Sequence, residues 1–162
     1  MIIKVIDNLI NKSEQENIYA YCRKKEYYRG ERDDLHYPAT GLTTEITDNN
    51  IIKILLEKTN NNQIELIRSY INLFIPGEKP YYHQDHTNTN HQTLLYYANT
   101  ENIDLNEGGE TFFVVDNHRK AIPFVPGRII IFNANIWHKA SSFRNLDRYT
   151  IALKWKNVNL NL

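Results

Sequence analysis

The stretch AIPFVPGRIIIF, residues 121–132, decides how the chain is read. Two apolar runs, 121–125 and 128–133, flank Pro126-Gly127, and both are too short for a helix and rich in strand-forming types. Proline followed by glycine between such runs marks a turn, because one presets φ and the other accepts a positive φ. The pattern continues upstream. Residues 63–75 are rich in β-branched and aromatic types and stop at Pro76-Gly77, and further runs lie at 92–98 and, after Gly108-Gly109, at 110–115. Downstream, 147–156 makes the last run, and a short strand is expected at 2–6. The N-terminal third otherwise reads as helical. Ser13 and Glu16 have capping-box spacing for a helix of about 14–25. Asp48 stands at the head of a second helix, whose apolar face is Ile51, Ile52, Ile54, Leu55 and Leu56 and which ends near Thr59-Asn60-Asn61-Asn62. Residues 27–46 show no clean period and read as a loop with room for one strand. Helices followed by short, turn-punctuated strands predict an α+β fold with a β-sandwich or jelly-roll core. The expected organisation is one domain, 1–162, with helical support and loop in 1–62 and the β core in 63–156.

Bulk properties narrow the function classes. A chain of 162 residues with 41% hydrophobic and 23% charged residues can bury a full core and is not expected to be disordered. Lys plus Arg and Asp plus Glu are both 19, so no basic surplus favours nucleic acid as the main partner. The single Cys22 excludes an internal disulfide and a Cys-based zinc site, and it suits a reducing cytosol. The opening MIIKVIDNLINKSEQ is broken by Lys4, Asp7 and Asn8 before any signal-peptide core develops. No apolar run approaches the ~20 residues that span a bilayer. A soluble, cytoplasmic protein without a membrane partner is therefore expected. Abundant Asn, Ile, Lys and Tyr suggest an AT-rich coding genome, such as that of a phage or a marine bacterium.

The chemistry concentrates in four residues. In an extended segment side chains two apart point the same way, so His83 and Asp85 can converge on one ion. A third ligand must come from elsewhere, and His138 follows the strongly apolar run 128–132 at a strand end. Two imidazoles and one carboxylate on one face form the facial triad of non-haem iron(II) oxygenases, which leaves positions open for a bidentate 2-oxo acid and for dioxygen. An organic dianion also needs a cation. Arg148, on the last strand, offers a planar guanidinium that grips a carboxylate through two parallel hydrogen bonds. Thr150 shares its face by the period-2 rule and can add a hydrogen bond.

Five stretches, in order, give the second half a family resemblance: Pro76-Gly77 ahead of His83-Gln84-Asp85; Leu95 to Asn99; Gly108 to Phe112; Pro126 to Phe132 with His138; and Arg148 to Trp155. Over about residues 63–156 the chain resembles the prolyl 4-hydroxylase-like branch of the 2-oxoglutarate/iron(II) oxygenases. The resemblance implies a double-stranded β-helix (jelly roll) with N-terminal helices packed on the major sheet. It implies Fe(II) held by His83, Asp85 and His138, with 2-oxoglutarate and O2 as co-substrates and ascorbate as reductant. Oxidative decarboxylation of 2-oxoglutarate to succinate would accompany hydroxylation of an unactivated C–H bond, with a prolyl residue the first substrate to consider. The carboxylate ligand favours hydroxylation over halogenation, since halogenating relatives lack it. Two positions depart from the pattern. Phe74 stands where many members place a tyrosine that holds 2-oxoglutarate, so either Tyr96, Tyr97, Thr150 or Asn72 replaces its hydroxyl or the grip is weaker. Arg148 stands where collagen-type members use lysine.

Competing readings stay in view. The same chemistry could act on a free amino acid, a small metabolite or a nucleobase, and a β-helix module that binds metal or a partner without turnover belongs to another class. Zn, Ni, Mn or Co can occupy the same ligands, because affinity alone does not select iron. His86 and His91 read as solvated or supporting residues, and His36 and His118 as surface. Gly108-Gly109-Glu110 lacks the context of a phosphate loop and reads as a turn. Tyr27, Tyr28, Tyr37, Tyr81 and Tyr82 serve packing first and a substrate groove second. Trp137 is expected to support the His138 strand, and Trp155 and Cys22 to pack inside. Segments 27–46 and 99–108 are the expected lids where specificity is encoded.

Overall fold

The computed structural model describes residues 3–33, 35–61 and 64–158. Nine strands and two helices follow in the order β1 (Ile3–Ile6), α1 (Lys12–Lys24), β2 (Leu42–Glu45), α2 (Asn49–Lys58), β3 (Ile64–Phe74), β4 (His91–Tyr97), β5 (Thr111–Val115), β6 (His118–Ile122), β7 (Ile129–Asn133), β8 (His138–Ala140) and β9 (Arg148–Asn157). Ile2 and Gln63, at the edges of two expected strands, lie outside the described residues. A six-stranded sheet has the order β1-β7-β4-β9-β3-β2, and a three-stranded sheet the order β6-β5-β8. The pairings are antiparallel, and the two sheets form the expected jelly roll.

The period-2 pattern of β9 shows why this sequence makes two cores. Tyr149, Ile151, Leu153 and Trp155 point to one face and join Ile18, Cys22, Ile51 and Leu55 of the helices in a first apolar cluster. Arg148, Thr150, Ala152 and Lys154 point to the other face and line a cavity between the sheets. The opposite half of that second face is filled by Phe113, Ile122, Phe124, Ile130, Phe132 and Phe143. Helices thus cover one side of the large sheet, and the small sheet covers the other. Trp155 and Cys22 are fully buried in the first cluster, as expected.

Three element boundaries differ from the sequence expectation. Helix α1 begins earlier: its N-cap is Asn11, whose side chain accepts from the Glu14 amide while the Glu14 carboxylate accepts from the Asn11 amide. Asparagine caps as well as serine, and the Ser13–Glu16 pair falls inside the helix. Strand β6 covers 118–122 instead of 121–125. Asp116 (φ 49°) and Asn117 (φ 60°) form a two-residue left-handed turn that pairs Val115 with His118. His118, Arg119 and Lys120 are exposed on this edge strand, so no apolar signal announces it, whereas Pro123 has no amide to continue it. Strand β8 is only three residues long and was hidden in Trp137-His138-Lys139. Asp48 caps α2 as expected, and β2 is the strand for which 27–46 had room.

Gly109 enters β5 with φ 81°, and a Cβ there would collide with the Phe143 ring. Gly109→Ala combines left-handed strain with overpacking, each costing about 1–3 kcal/mol. A fall in Tm of roughly 5 °C or more in a thermal melt is expected.

Candidate active site

His83 and His138 are brought together by backbone hydrogen bonds. The His83 amide donates to the His138 carbonyl (3.0 Å) and the His138 amide to the His83 carbonyl (2.9 Å), so the two form an antiparallel bridge at the edge of β8. Their rings lie 4.4 Å apart. Each Nδ1 faces a carbonyl two residues earlier, Tyr81 for His83 (3.1 Å) and Ile136 for His138 (2.9 Å). A carbonyl only accepts, so each ring donates from Nδ1 and turns Nε2 toward the cluster. Phe132, edge-on at 4.7 Å, and Phe113 at 5.9 Å wall in the His138 ring. Burial pushes the His138 pKa down to about 4, which keeps it neutral near pH 7.

Asp85 completes the cluster. Its oxygens lie 3.7 Å from His83 Nε2 and 3.6 Å from His138 Nε2, and one ligand atom from each of the three residues fits within 4.8 Å of the others. Its side chain is nearly inaccessible, 3% exposed, yet satisfied: Thr93 Oγ1 donates to one oxygen (2.6 Å) and Lys154 Nζ to the other (2.8 Å). Burial pushes the Asp85 carboxyl up, but the surrounding His138, Lys154 and His83 outweigh it and hold it below the usual carboxylate range. Lys154 is charged against its own burial, held above the ordinary lysine value by Tyr70 and Asp85 facing it. A donor set of two imidazoles and an ionised carboxylate suits a divalent first-row metal.

The cluster opens on a cavity of about 320 Å³ between the sheets, with Arg148 in its wall. Arg148 is 1% exposed and forms no ion pair among the described residues. Nε donates to the Gly109 carbonyl (2.9 Å) and Nη2 to Thr111 Oγ1 (3.1 Å), while Phe74, Tyr97 and Phe124 surround the guanidinium with ring centroids 5.3 to 5.9 Å from Cζ. Burial lowers its pKa, but a guanidinium stays charged near neutrality. A buried cation without a carboxylate is expensive unless an anion completes it. Asn72 and Thr150 are register partners that line the same cavity, and Thr150 Oγ1 and Thr43 Oγ1 are buried without a protein partner. Orphan hydroxyls lining the same cavity as a buried guanidinium fit a carboxylate-bearing ligand.

The remaining expected residues divide. Tyr97 does not line the cavity; its hydroxyl donates to Thr111 Oγ1 (2.7 Å) and its ring backs Arg148. Tyr96 faces the helices, so its hydroxyl cannot substitute at Phe74, which lines the cavity itself. His86 is exposed and stacks on His91 at 3.8 Å, outside the cavity wall. His36 and His118 are exposed, as is Trp137 at 48%. Gly108 and Gly109, φ 82° and 81°, make the expected turn. Of the two expected lids, 27–46 supplies Glu31, Arg32, Asp33, Thr40 and Thr43 to the cavity, whereas 99–108 supplies none. The latter is tied away from the mouth, with Glu101 accepting from Tyr19 and Gly108 bridged to Phe143. Lys154, Thr93 and Asp33 join the site without a motif of their own. Lys154 was readable in phase with Arg148 and Thr150, but Asp33 carried no local signal.

No family model matches the chain, and no curated protein matches it. Solved structures do match. A prolyl hydroxylase from Trichoplax adhaerens, in complex with a hypoxia inducible factor peptide, aligns with TM-score 0.77 and 16% identity over 96% of this chain and 83% of that one. The viral collagen prolyl hydroxylase of Paramecium bursaria Chlorella virus-1, with 2-oxoglutarate, aligns with TM-score 0.74 and 15% identity over 98% and 97%. HygX from Streptomyces hygroscopicus, with nickel, 2-oxoglutarate and hygromycin B, gives TM-score 0.73 and 12% identity over 97% and 83%. The chain thus has the fold shared by prolyl hydroxylases and other 2-oxoglutarate/iron(II) oxygenases. Among the described residues no helix is long and apolar enough to cross a membrane.

Proposed function

We propose that the protein is a 2-oxoglutarate- and iron(II)-dependent dioxygenase that hydroxylates an unactivated C–H bond, with a prolyl residue of a peptide as the first substrate class. One observation carries the reading: a fully buried Arg148 without a carboxylate partner lines the same cavity as the His83–Asp85–His138 cluster. His83 Nε2, Asp85 and His138 Nε2 would hold Fe(II), and Arg148 with Thr150, Asn72 and Thr43 would bind the distal carboxylate of 2-oxoglutarate. When bound, the metal supplies activation of O2 coupled to decarboxylation of the co-substrate. The chain's own part is positioning and exclusion. The two Nδ1–carbonyl hydrogen bonds fix the rings, Thr93 and Lys154 fix the carboxylate, and Phe132 and Phe113 keep water from the buried side of His138. Tyr97 backs Arg148 and holds Thr111, one of its anchors. Residues 1–162 act as one oxygenase domain in this reading. Ascorbate serves as reductant, and a cytoplasmic setting accords with the buried free thiol of Cys22.

A second reading keeps the chemistry and changes the substrate to a small molecule, supported by the likeness to HygX, whose structure holds hygromycin B. The deciding experiment gives purified protein Fe(II), ascorbate and 2-oxoglutarate and follows succinate. Slow succinate formation without a prime substrate is expected, rising when a Pro-containing peptide that gains one oxygen atom is added. Absence of both iron binding and succinate would sink the oxygenase reading. Failure of every peptide with succinate still formed would transfer the proposal to small molecules.

A further inference from the structure

The chain between β3 and His83, residues 75–82, has no strand partner to fix it, and its position matters because it delivers the first candidate ligand. Its brace comes from 27–41, some fifty residues earlier. Glu78 accepts from Arg29 and from the Gly41 amide (3.1 Å), and the Tyr37 ring stacks on Tyr81 at 4.1 Å. Asp33 reaches furthest in. Its Oδ2 accepts from the Tyr81 amide (2.7 Å) and from Thr40 Oγ1 (3.2 Å), and its Oδ1 lies 3.2 Å from His83 Nδ1. The Tyr81 carbonyl is the acceptor that fixes the His83 ring. Asp33 therefore grips the amide of the residue whose carbonyl holds His83, and it places a carboxylate against the same Nδ1–H. Its side chain is 16% exposed, so this charge is poorly screened by water.

We infer that Asp33 is a positioning residue for the metal site, which fixes the ring angle and tautomer of His83. This rests on the metal reading of the His83–Asp85–His138 cluster. A carboxylate behind a ligating histidine orients the ring and strengthens it as a donor, and loss of such a partner costs about 10–100-fold in metal affinity. Backbone bridging to His138 sets where residue 83 sits, and Asp33 sets how its imidazole points.

The test uses Co(II) as probe, titrated into metal-free protein and read by its visible absorption and by calorimetry. Asp33→Asn keeps an oxygen for the Tyr81 amide and replaces the charged acceptor facing His83 Nδ1 with a neutral NH2 group. It is expected to raise the Co(II) dissociation constant about 10–100-fold, to speed stripping by EDTA and to leave the metal-free melting temperature within about 2 °C, as outer partners of a metal site do. Tyr37→Ala, which removes the stack on Tyr81 and keeps the carboxylate, separates positioning from general packing. Its Co(II) affinity is expected within about threefold of wild type, below the loss an outer partner brings. Unchanged affinity in Asp33→Asn, or an equal loss in Tyr37→Ala, overturns the inference. Co(II) bound by wild type without any succinate formed with Fe(II) would instead overturn the oxygenase reading and leave Asp33 in its role.

Discussion

Arg148→Met is expected to abolish saturation by 2-oxoglutarate while leaving metal binding intact. The guanidinium is 1% exposed and has three neutral partners: the Gly109 carbonyl, Thr111 Oγ1 and a box of aromatic rings. None of them neutralises its charge. A dianion arriving in the cavity would give this buried cation a direct ion-pair partner, and removing one member of such a pair costs roughly 2–5 kcal/mol. Since about 1.4 kcal/mol is tenfold, the dissociation constant for 2-oxoglutarate should rise on the order of 10²–10³-fold. Calorimetric titration of the Ni(II)-loaded protein measures it directly. Thermal melts give a second readout. At 100 times its dissociation constant a ligand adds about 2.7 kcal/mol of stability. For a chain of this size that is on the order of 5–10 °C, a shift wild type should show and Arg148→Met should not. Arg148→Lys should fall between them, because one ammonium cannot hold Gly109, Thr111 and a ligand carboxylate in the geometry of a planar fork. Wild-type affinity in Arg148→Met would remove the co-substrate assignment and leave the metal site untouched.

The grouping of the candidate metal ligands and the candidate anchor was readable in part because period 2 is strict: His83 with Asp85, and Arg148 with Thr150, fall on one face wherever the backbone is extended. The same rule separated the two cores, as β9 shows residue by residue. What stayed hidden depends on contacts between distant segments. The mutual hydrogen bonds of His83 and His138 join residues 55 apart, and nothing in either neighbourhood announces that pairing. Asp33 lies in an aperiodic stretch, so its approach to His83 exists only once 27–41 is folded over 75–82. Strand β6 escaped for another reason: its exposed His118-Arg119-Lys120 carries no apolar signal, and the left-handed pair Asp116-Asn117 creates it. Tyr97 shows that sharing a cavity's face does not ensure a place in its wall. The side chain is long enough to pass behind Arg148 and end on Thr111.

Asp85→Ala is expected to remove metal binding and, separately, to destabilise the metal-free protein. The two effects have different causes and can be pulled apart. Asp85 and Lys154 form an ion pair at 2.8 Å with side chains 3% and 23% exposed. Breaking a buried pair by deleting one partner leaves the other charge unpaired, at a cost of roughly 3–5 kcal/mol, whereas replacing both by apolar groups is often neutral. Metal-free Asp85→Ala should therefore melt on the order of 10 °C below wild type. Asp85→Ala with Lys154→Met should recover most of that loss. Neither variant should form succinate, and both should lose more Co(II) affinity than the roughly 10–100-fold that an outer partner contributes. Lys154→Met alone decides what the lysine is for. An ammonium beside a divalent ion repels it, so this variant should be less stable without metal but bind Co(II) more tightly than wild type. In that outcome Lys154 holds the carboxylate in place while the site is empty of charge and yields when the cation arrives. Weaker Co(II) binding would mean that Lys154 orients Asp85 for coordination. Failure of the double variant to recover stability would show that the carboxylate matters to the fold through Thr93 instead.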